Sequence, residues 1–164
     1  MANVQKIVPN LWFDGNAKEA VDFYVSVFPD SEVIDTVNYP SEGLADFQKD
    51  LAGKVLTITF KLAGQDFIAI NAGSEFKFSE AISLMISCDD QEEIDYYWDK
   101  LSHSPENEQC GWCKDQYGLS WQVTPTNMDK HMTGPDGVYN PKAFAAMMEM
   151  KKLDIAALEA AARS

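Results

Sequence analysis

The stretch NLWFDGNAKEAVDFY, Asn10 to Tyr24, decides the fold, because it joins a strand pattern directly to a helix pattern. An extended run from Val4 to Phe13 precedes a predicted helix from about Ala17 to Phe28. Asn16 is the predicted N-cap of this helix, and Glu19 would complete a capping box. The apolar residues of the helix recur at i, i+3, i+4 and i+7, which predicts one buried face: Val21, Tyr24, Val25 and Phe28.

The same pattern returns 73 positions further along the chain. Asp89 takes the place of Asn16 as the predicted cap, and Glu92 takes that of Glu19. The apolar stripe of the second helix is Ile94, Tyr97, Trp98 and Leu101. The chain therefore contains two copies of one strand-then-helix unit.

The two copies place equivalent residues on the first strand of each unit, where side chains alternate between the two faces. The residues predicted to face the helices are Leu11 and Phe13 in the first copy and Leu84 and Ile86 in the second. The opposite, open face would carry Asn10 and Trp12 in the first copy and Ser83 and Met85 in the second.

Extended segments follow each helix. They are Glu32 to Tyr39, Val55 to Leu62 and Phe67 to Asn71 in the first half, and roughly Glu108 to Lys114 and Leu119 to Thr124 in the second. Each half is predicted to be a βαβββ unit of an α+β fold. Because a helix covers only one face of such a sheet, two units would form a half-barrel around a shared concave site.

The predicted domain covers residues 1–126, with repeats at about 4–71 and 80–126, and a helical extension covers residues 127–164. Two short helices are predicted in this extension, near Pro141 to Met150 and Asp154 to Ala162. Their apolar surface is too large to stay in water. It predicts packing onto the domain or a dimer partner, in preference to a methionine-rich recruitment helix.

The amino-acid composition limits which binding partners and which cellular compartment we expect for this protein. The 164 residues include 26 acidic and 13 basic ones, and the net charge of −13 would repel nucleic acids and anionic membranes. No apolar run approaches the roughly 20 residues that a membrane helix needs. With no signal-like N-terminus and three cysteines, we expect a protein of the reducing cytoplasm.

Four motifs in separate parts of the chain resemble those of one protein superfamily. They are Asn10–Tyr24, Glu80-Ala-Ile-Ser83, Cys110-Gly-Trp112 with Lys114-Asp115, and Gly118-Leu-Ser-Trp-Gln-Val-Thr-Pro125. Together they resemble the glyoxalase and bleomycin-resistance superfamily, also called the vicinal oxygen chelate fold, and within it the demethylubiquinone methyltransferase-like branch. The resemblance spans about residues 4–126, and the tail segment Met150–Ala156 is similar to that branch as well.

The resemblance implies a paired βαβββ fold, usually a homodimer, with a ligand site in the concave sheet. Metal-using members of the superfamily place His, Gln or Glu at four inward positions, on the first and last strands of each repeat. In this sequence the resemblance puts these positions at Asn10 (or Pro9), near Ile68, at Ser83 (or Ile82) and at Gln122.

These positions hold no imidazole and no carboxylate, and a divalent ion ordinarily requires several such ligands. We therefore expect neither a metal ion nor another cofactor. The two histidines, His103 and His131, are expected to be solvent-exposed. Methyl transfer, which the name of the branch suggests, is disfavoured because no Gly-rich strand-to-helix loop is present to hold a nucleotide-like cofactor.

Cys110-Gly-Trp-Cys113 has the spacing of a dithiol redox centre. A thioredoxin-type thiol, however, lies at a helix N-terminus, whereas a turn and a strand are predicted to follow Cys113. On a strand, the two thiols would point to opposite faces. We therefore predict a buried structural Cys113 and no redox centre.

Four acidic residues could act as general bases, but no two of them are spaced in a way that identifies a catalytic pair. Glu42, Asp46, Asp66 and Glu75 lie in predicted loops near strand ends and are expected to be solvated.

Three functional hypotheses follow. The first is a homodimeric protein that binds a small neutral or aromatic molecule without a metal, through hydrogen bonds of Asn10, Ser83 and Gln122 and the apolar surface of Trp12 and Met85. The second is a metal-dependent lyase, isomerase or dioxygenase, with ligands from a partner subunit or from Glu42 and Asp46. The third is a sequestering protein of the bleomycin-resistance type.

Overall fold

The computed structural model describes residues 5–164, which fall into two compact units divided between Lys77 and Phe78. Val4, the predicted start of the first strand, lies outside the described residues. The α+β class is confirmed, as is the glyoxalase-like arrangement of two small open sheets with helices. The predicted boundary of the extension at residue 127 stays a prediction.

The first unit has a four-stranded sheet in the order β1-β4-β3-β2. Its elements are β1 (Asn10–Phe13), α1 (Ala17–Val27), β2 (Glu32–Asn38), β3 (Val55–Leu62) and β4 (Gln65–Asn71), with a short 3₁₀ helix at Asp46–Leu51. Strand β1 runs parallel to β4, and the other neighbours are antiparallel. Ala63 and Gly64 connect β3 to β4 with φ of 46° and 81°, the left-handed pair that suits a two-residue hairpin.

Helix α1 packs on one face of this sheet; of the predicted stripe, Val21, Tyr24 and Phe28 are buried, whereas Val25 is half-buried. Its buried residues are Ala17, Ala20, Val21, Tyr24 and Val27. The strand residues buried on the other side of the interface include Leu11, Phe13, Ile58, Phe60, Phe67 and Ala69. Their alternation leaves the opposite face of β1 and β4 open, as the sequence predicts.

Asn16 occupies the N-cap position of α1 as predicted, but the predicted side-chain cap does not form. The Asn16 side chain makes no capping hydrogen bond, and Asn71 at the end of β4 takes that role. Its Oδ1 accepts a hydrogen bond from the Ala17 N–H at 3.0 Å. The helix N-terminus is satisfied by a residue distant in sequence, so local spacing alone could not identify the cap.

Strand β2 forms one edge of the sheet, and all of its residues are exposed. Three of them are large and apolar, namely Val33, Ile34 and Val37. Among the described strands, β3 alone is hydrogen-bonded to β2, so one backbone edge of β2 faces away from the sheet.

The second unit has a three-stranded sheet in the order β5-β7-β6, followed by three helices. Its elements are β5 (Ser83–Cys88), α2 (Gln91–Leu101), β6 (Trp112–Lys114), β7 (Ser120–Pro125), α3 (Met128–Met132), α4 (Pro141–Met148) and α5 (Ile155–Arg163). Here β5 runs parallel to β7, as β1 does to β4. In detail, two strands rather than three follow α2, since a 3₁₀ helix at Pro105–Asn107 and a turn precede β6.

Helix α2 is capped one residue later than predicted. The Asp90 carboxylate accepts from the Glu93 N–H at 2.9 Å, and the Glu93 carboxylate accepts from the Asp89 N–H at 2.6 Å. Asp89 and Glu92 are therefore not the capping pair; the consecutive aspartates made both registers plausible from sequence. The predicted stripe is buried in full: Ile94, Tyr97, Trp98 and Leu101.

The hairpin between β6 and β7 is organised by a buried carboxylate. Asp115 Oδ1 accepts from the Tyr117 N–H at 2.8 Å and the Leu119 N–H at 3.1 Å. Its Oδ2 accepts from the Trp121 indole N–H at 2.8 Å. These bonds satisfy a charge that is only 3% exposed and hold the hairpin in register.

The C-terminal helices pack together and onto the rest of the second unit. Met132, Ala143 and Leu158 form a small buried core, with Met128, Met147, Met150 and Ala162 packed against it. The segment before α5 is fixed by the Gln91 side chain, whose amide donates to the Leu153 carbonyl at 2.9 Å and accepts from the Ile155 N–H at 2.9 Å. Within the described residues, no helix combines the length and the hydropathy that crossing a bilayer requires.

Candidate functional site

Asn10 and Trp12 occupy the open face of β1 in the first unit, as predicted. The Asn10 amide donates back to the Val8 carbonyl at 2.9 Å, and its parallel partner on β4 is Ile68. The Asn10 side-chain oxygen thus stays available while its N–H₂ group is engaged with the preceding backbone.

Trp12 is held in one orientation. Its indole N–H donates to the Gly73 carbonyl at 2.8 Å, and its ring lies edge-on to Phe76 with centroids 4.8 Å apart. Phe76 is 61% exposed, so the pair presents an aromatic surface to solvent. The part that Asn10 and Trp12 play in ligand binding stays a prediction.

The structure brings the three predicted residues of the second unit together. Gln122 on β7 donates from its side-chain N–H₂ to the Ser83 Oγ at 2.8 Å. Met85 on β5 is the parallel partner of Gln122, so both point to the open face. The hydrogen bond fixes the Gln122 amide and leaves its carbonyl oxygen free to accept from a ligand.

A cavity of about 450 Å³ lies on this open face. Its sheet-borne walls are Met85, Ser87, Trp112, Gln122 and Thr124. Further lining residues come from the turn before β6 and from the chain after β7: Cys110, Pro125, Asn127, Met128, Asp129, Tyr139, Met147 and Leu153. The cavity thus combines an aromatic ring and thioethers with a few amide and hydroxyl groups.

Sequence reasoning missed several of these residues. Ser87 and Thr124 lie two positions after Met85 and Gln122, so strand alternation carried the signal that would have found them. Trp112 belonged to a recognised motif but was not assigned a role. For Asp129 and Tyr139 the sequence held no signal, because their position depends on how the C-terminal helices return to the sheet.

A second hollow of about 440 Å³ shares Cys110 and Trp112 with the first as lining residues. Its lining includes Lys114, which forms an ion pair with Glu80, and a hydrogen bond from Lys114 lowers the pKa of the Glu80 carboxyl. Ser120 also lines this hollow; its Oγ is buried and has no hydrogen-bond partner among the described residues.

Cys110 lies in a turn and Cys113 on a strand, so neither is at the helix N-terminus of a thioredoxin-type thiol. Cys110 and Gly111 form a left-handed turn with φ of 39° and 88°, and β6 begins only at Trp112. The prediction that Cys110 lies on a strand is therefore wrong, whereas the burial of Cys113 is confirmed. Burial raises the pKa of Cys113 to about 12, with Asp115 and Glu108 adding to the effect, and burial also raises the pKa of Cys110.

The donor set that the resemblance assigns to a metal does not fit a divalent ion. Asn10 and Gln122 each offer only a neutral amide oxygen, Ser83 offers a hydroxyl, and Ile68 offers only hydrocarbon. Over residues 5–164, no group of three or more His, Cys, Asp or Glu side chains could hold a metal. Neutral amides and a hydroxyl compensate poorly for the water that a divalent cation would lose.

The two histidines differ in solvent exposure. His103 is exposed as predicted, but His131 is half-buried, and its Nδ1 lies 3.0 Å from the Glu159 carboxylate. The expectation that both are surface residues is wrong for His131, because α5 packs beside α3 and covers it.

The acidic loop residues considered for catalysis lie in the first unit. Glu42 and Glu75 are exposed, and Asp46 pairs with Lys49 at 2.6 Å. Asp66 lies on β4 rather than in a loop; it is half-buried, its Oδ1 lies 3.8 Å from the Lys61 Nζ, and that oxygen has no hydrogen-bond partner among the described residues. The expectation of a solvated loop charge is therefore wrong for Asp66, whereas Glu42, Asp46 and Glu75 are exposed.

Comparisons with known proteins agree with the architecture. The profile of a family described as 3-demethylubiquinone-9 3-methyltransferase matches residues 5–124. The PhnB protein from Bacillus cereus is 36% identical with a TM-score of 0.60, and the match covers 74% of this chain and 100% of that one. None of the curated proteins matches.

Two more distant solved structures share the fold. A protein from Pseudomonas aeruginosa is 17% identical with a TM-score of 0.56, covering 76% of this chain and 100% of that one. The fosfomycin resistance protein FosX from Listeria monocytogenes is 16% identical with a TM-score of 0.50, covering 82% of this chain and 100% of that one. At these identities the similarity concerns the fold alone.

Proposed function

Because the chain belongs to the 3-demethylubiquinone-9 3-methyltransferase family of the glyoxalase and bleomycin-resistance superfamily, we propose that it binds a small neutral or aromatic molecule without a metal ion. The observation that carries the proposal is the 450 Å³ cavity on the open face of the second sheet. Pockets for small organic ligands commonly have volumes of about 300–1,000 Å³.

The chemistry of the cavity wall supports an aromatic ligand. Trp112 offers a ring for stacking, and Met85, Met128 and Met147 offer polarisable thioethers that adapt to a flat apolar body. Gln122 offers one carbonyl oxygen in a fixed position, since its N–H₂ group is bonded to Ser83. A few oriented polar groups among apolar walls give a ligand its orientation without supplying a reaction.

Metal independence is part of the proposal because of the donor chemistry at Asn10, Ile68, Ser83 and Gln122. One structure of FosX contains Mn(II). In this chain the corresponding chemistry would require carboxylates or imidazoles that those positions lack.

Methyl transfer is not part of the proposal, although the family description names it. The connections from a strand to the following α-helix are Asp14-Gly15-Asn16, Asp89-Asp90 and Thr126-Asn127. None of the three is the glycine-rich loop that ordinarily holds a nucleotide-like cofactor at a helix N-terminus.

The proposal is tested by ligand-observed NMR with 1-naphthalenemethanol, a neutral aromatic alcohol, on protein purified with and without EDTA. We expect binding in both samples. Gln122→Met should weaken it about fivefold through the lost acceptor, and Trp112→Leu about tenfold through the lost stacking. Gln116→Met, in the exposed hairpin loop, is the matched control and should bind like the natural chain.

Two outcomes would contradict the proposal. One is the absence of binding by the natural chain. The other is a stoichiometric Zn, Ni, Mn or Fe in chelator-free protein, removal of which abolishes binding; this would favour the metal-dependent enzyme instead.

We further propose that the chain acts as a homodimer in the cytoplasm. The exposed edge strand β2, with Val33, Ile34 and Val37, supports self-association, and the free state of all three cysteines is consistent with a reducing compartment. Light scattering after size-exclusion chromatography should give about twice the 18.3 kDa of one chain. A monomer at tens of micromolar would contradict it.

A further inference from the structure

One wall of the cavity is built by the part of the chain that follows the family match. The match ends at residue 124, whereas the cavity is also lined by residues from the helical extension. These residues are Asn127, Met128, Asp129, Tyr139, Met147 and Leu153. The extension therefore contributes to the site itself as well as to stability.

Hydrogen bonds attach this wall to the turn before β6. The backbone N–H groups of Cys110 and Gly111 donate to the carbonyls of Met150 and Lys151, at 2.7 and 2.8 Å. The Gln109 amide donates to the Met148 carbonyl at 2.6 Å. These bonds join the turn before β6 to the end of α4 and hold the neighbouring lining residues Met147 and Leu153 beside the cavity.

Asp129 is the only charged residue that lines the cavity. It lies on the exposed surface, and its Oδ1 accepts a hydrogen bond from the Tyr139 hydroxyl at 3.3 Å. The sheet residues of the lining are Met85, Ser87, Trp112, Gln122 and Thr124, and no lysine or arginine among the lining residues neutralises this carboxylate. The mouth of the cavity thus has a negative charge and the interior an aromatic and thioether surface.

On the basis of the proposed function, we propose that the extension makes this cavity selective for aromatic molecules that carry a positively charged group. The aromatic body lies against Trp112 and the methionines, and the ammonium group lies beside Asp129. The net charge of −13 adds to this preference by attracting cations and repelling anions. Relatives that end with the matched domain would lack the preference.

Three probes with the same ring test the charge preference: 1-naphthylmethylamine, 1-naphthalenemethanol and 1-naphthoate. Isothermal titration calorimetry at low salt should rank them amine, alcohol and carboxylate, with the amine about fivefold tighter than the alcohol. Asp129→Asn should bring the amine-to-alcohol ratio close to one. Glu149→Gln is the matched control, because it removes one exposed charge from the extension away from the cavity and should keep the ratio.

The results separate this inference from the function on which it rests. If none of the probes binds the natural chain, the proposed function fails. If the alcohol binds and loses affinity in Trp112→Leu, but the amine has no advantage, only the inference fails. The inference also fails if Asp129→Asn and Glu149→Gln reduce the advantage equally, since general charge attraction would then explain it.

Discussion

The side-chain oxygen of Asn71 accepts a hydrogen bond from the backbone N–H of Ala17, across 54 positions of sequence. The same side chain donates to the Val55 carbonyl at 3.1 Å, and the Asn71 carbonyl accepts from the Tyr39 hydroxyl at 2.7 Å. One buried residue at the end of β4 therefore connects helix α1, strand β3 and Tyr39.

Replacing Asn71 should destabilise the first unit. Asn71→Ala removes the cap of α1 and leaves the Val55 carbonyl without this partner, so we expect a loss of about 2–3 kcal/mol in unfolding free energy. Urea denaturation followed by circular dichroism measures it. Asn16→Ala is the matched control and should cost far less, since Asn16 makes no capping bond; equal losses would contradict the assignment of the cap.

Gly111→Ala should weaken the packing of the extension against the turn before β6. Gly111 has a φ of 88°, and a Cβ atom there would lie 3.0 Å from Leu153 Cδ1 and 3.1 Å from the Val123 carbonyl oxygen. We expect a loss of about 2 kcal/mol or more, with faster proteolysis after residue 126. Gly137→Ala has a similar φ of 74° but no neighbour within 4 Å, so it should show only the backbone cost of about 1 kcal/mol. Similar proteolysis of both variants would argue against a close contact at Gly111.

The thiols should be unreactive in the folded protein. Burial raises the pKa of Cys88 and of Cys113 to about 12, and nearby carboxylates add to the effect. At pH 7.5 we expect slow labelling of these two thiols by Ellman's reagent in native protein and fast labelling in guanidinium. A reversible disulfide between Cys110 and Cys113 would contradict this prediction.

The same shifts predict a pH dependence of stability. Because both pKa values are raised on folding, the stabilisation is complete below the ordinary thiol value of 9.0 and is lost as the pH rises from there towards 12. Each thiol should contribute a slope of about 1.4 kcal/mol per pH unit once the unfolded chain is ionised. Cys88→Ala and Cys113→Ala should each reduce the slope, whatever they do to stability at neutral pH.

Ser120→Ala should not destabilise the second unit. The Ser120 side chain is 2% exposed and its Oγ has no hydrogen-bond partner in the described chain, so removing the hydroxyl should be neutral or stabilise by up to about 1 kcal/mol. Ser83→Ala is the comparison, since it removes the partner of Gln122 and should cost about 1 kcal/mol. A larger loss for Ser120→Ala than for Ser83→Ala, measured by thermal unfolding, would show that the hydroxyl is satisfied.

Elements with strong local periodicity could be predicted from the sequence. The helices Ala17–Val27 and Gln91–Leu101 and the strand Val55–Leu62 lie where the apolar spacing placed them. Features that depend on distant contacts could not be predicted in this way. The cap supplied by Asn71 is one example, and the turn at Cys110 and Gly111, shaped by the returning extension, is another.

The same distinction holds for the candidate site. Strand alternation placed Met85, Ser83 and Gln122 together, because the face of a strand residue follows from its position. Asp129 and Tyr139 reach the cavity only through the packing of α3 and α4, which no local pattern encodes.

The turn before β6 is bonded to the extension through the main-chain carbonyls of Met150 and Lys151, and the Lys151 side chain adds a hydrogen bond to the Pro105 carbonyl at 2.8 Å and an ion pair with Glu108 at 3.2 Å. Met150 can therefore be replaced during evolution without loss of the main-chain bonds, as long as Gly111 is retained. Substitutions in the extension would then change the ligand preference more readily than the fold. Close relatives would therefore differ in the ligand that they bind while sharing the same fold.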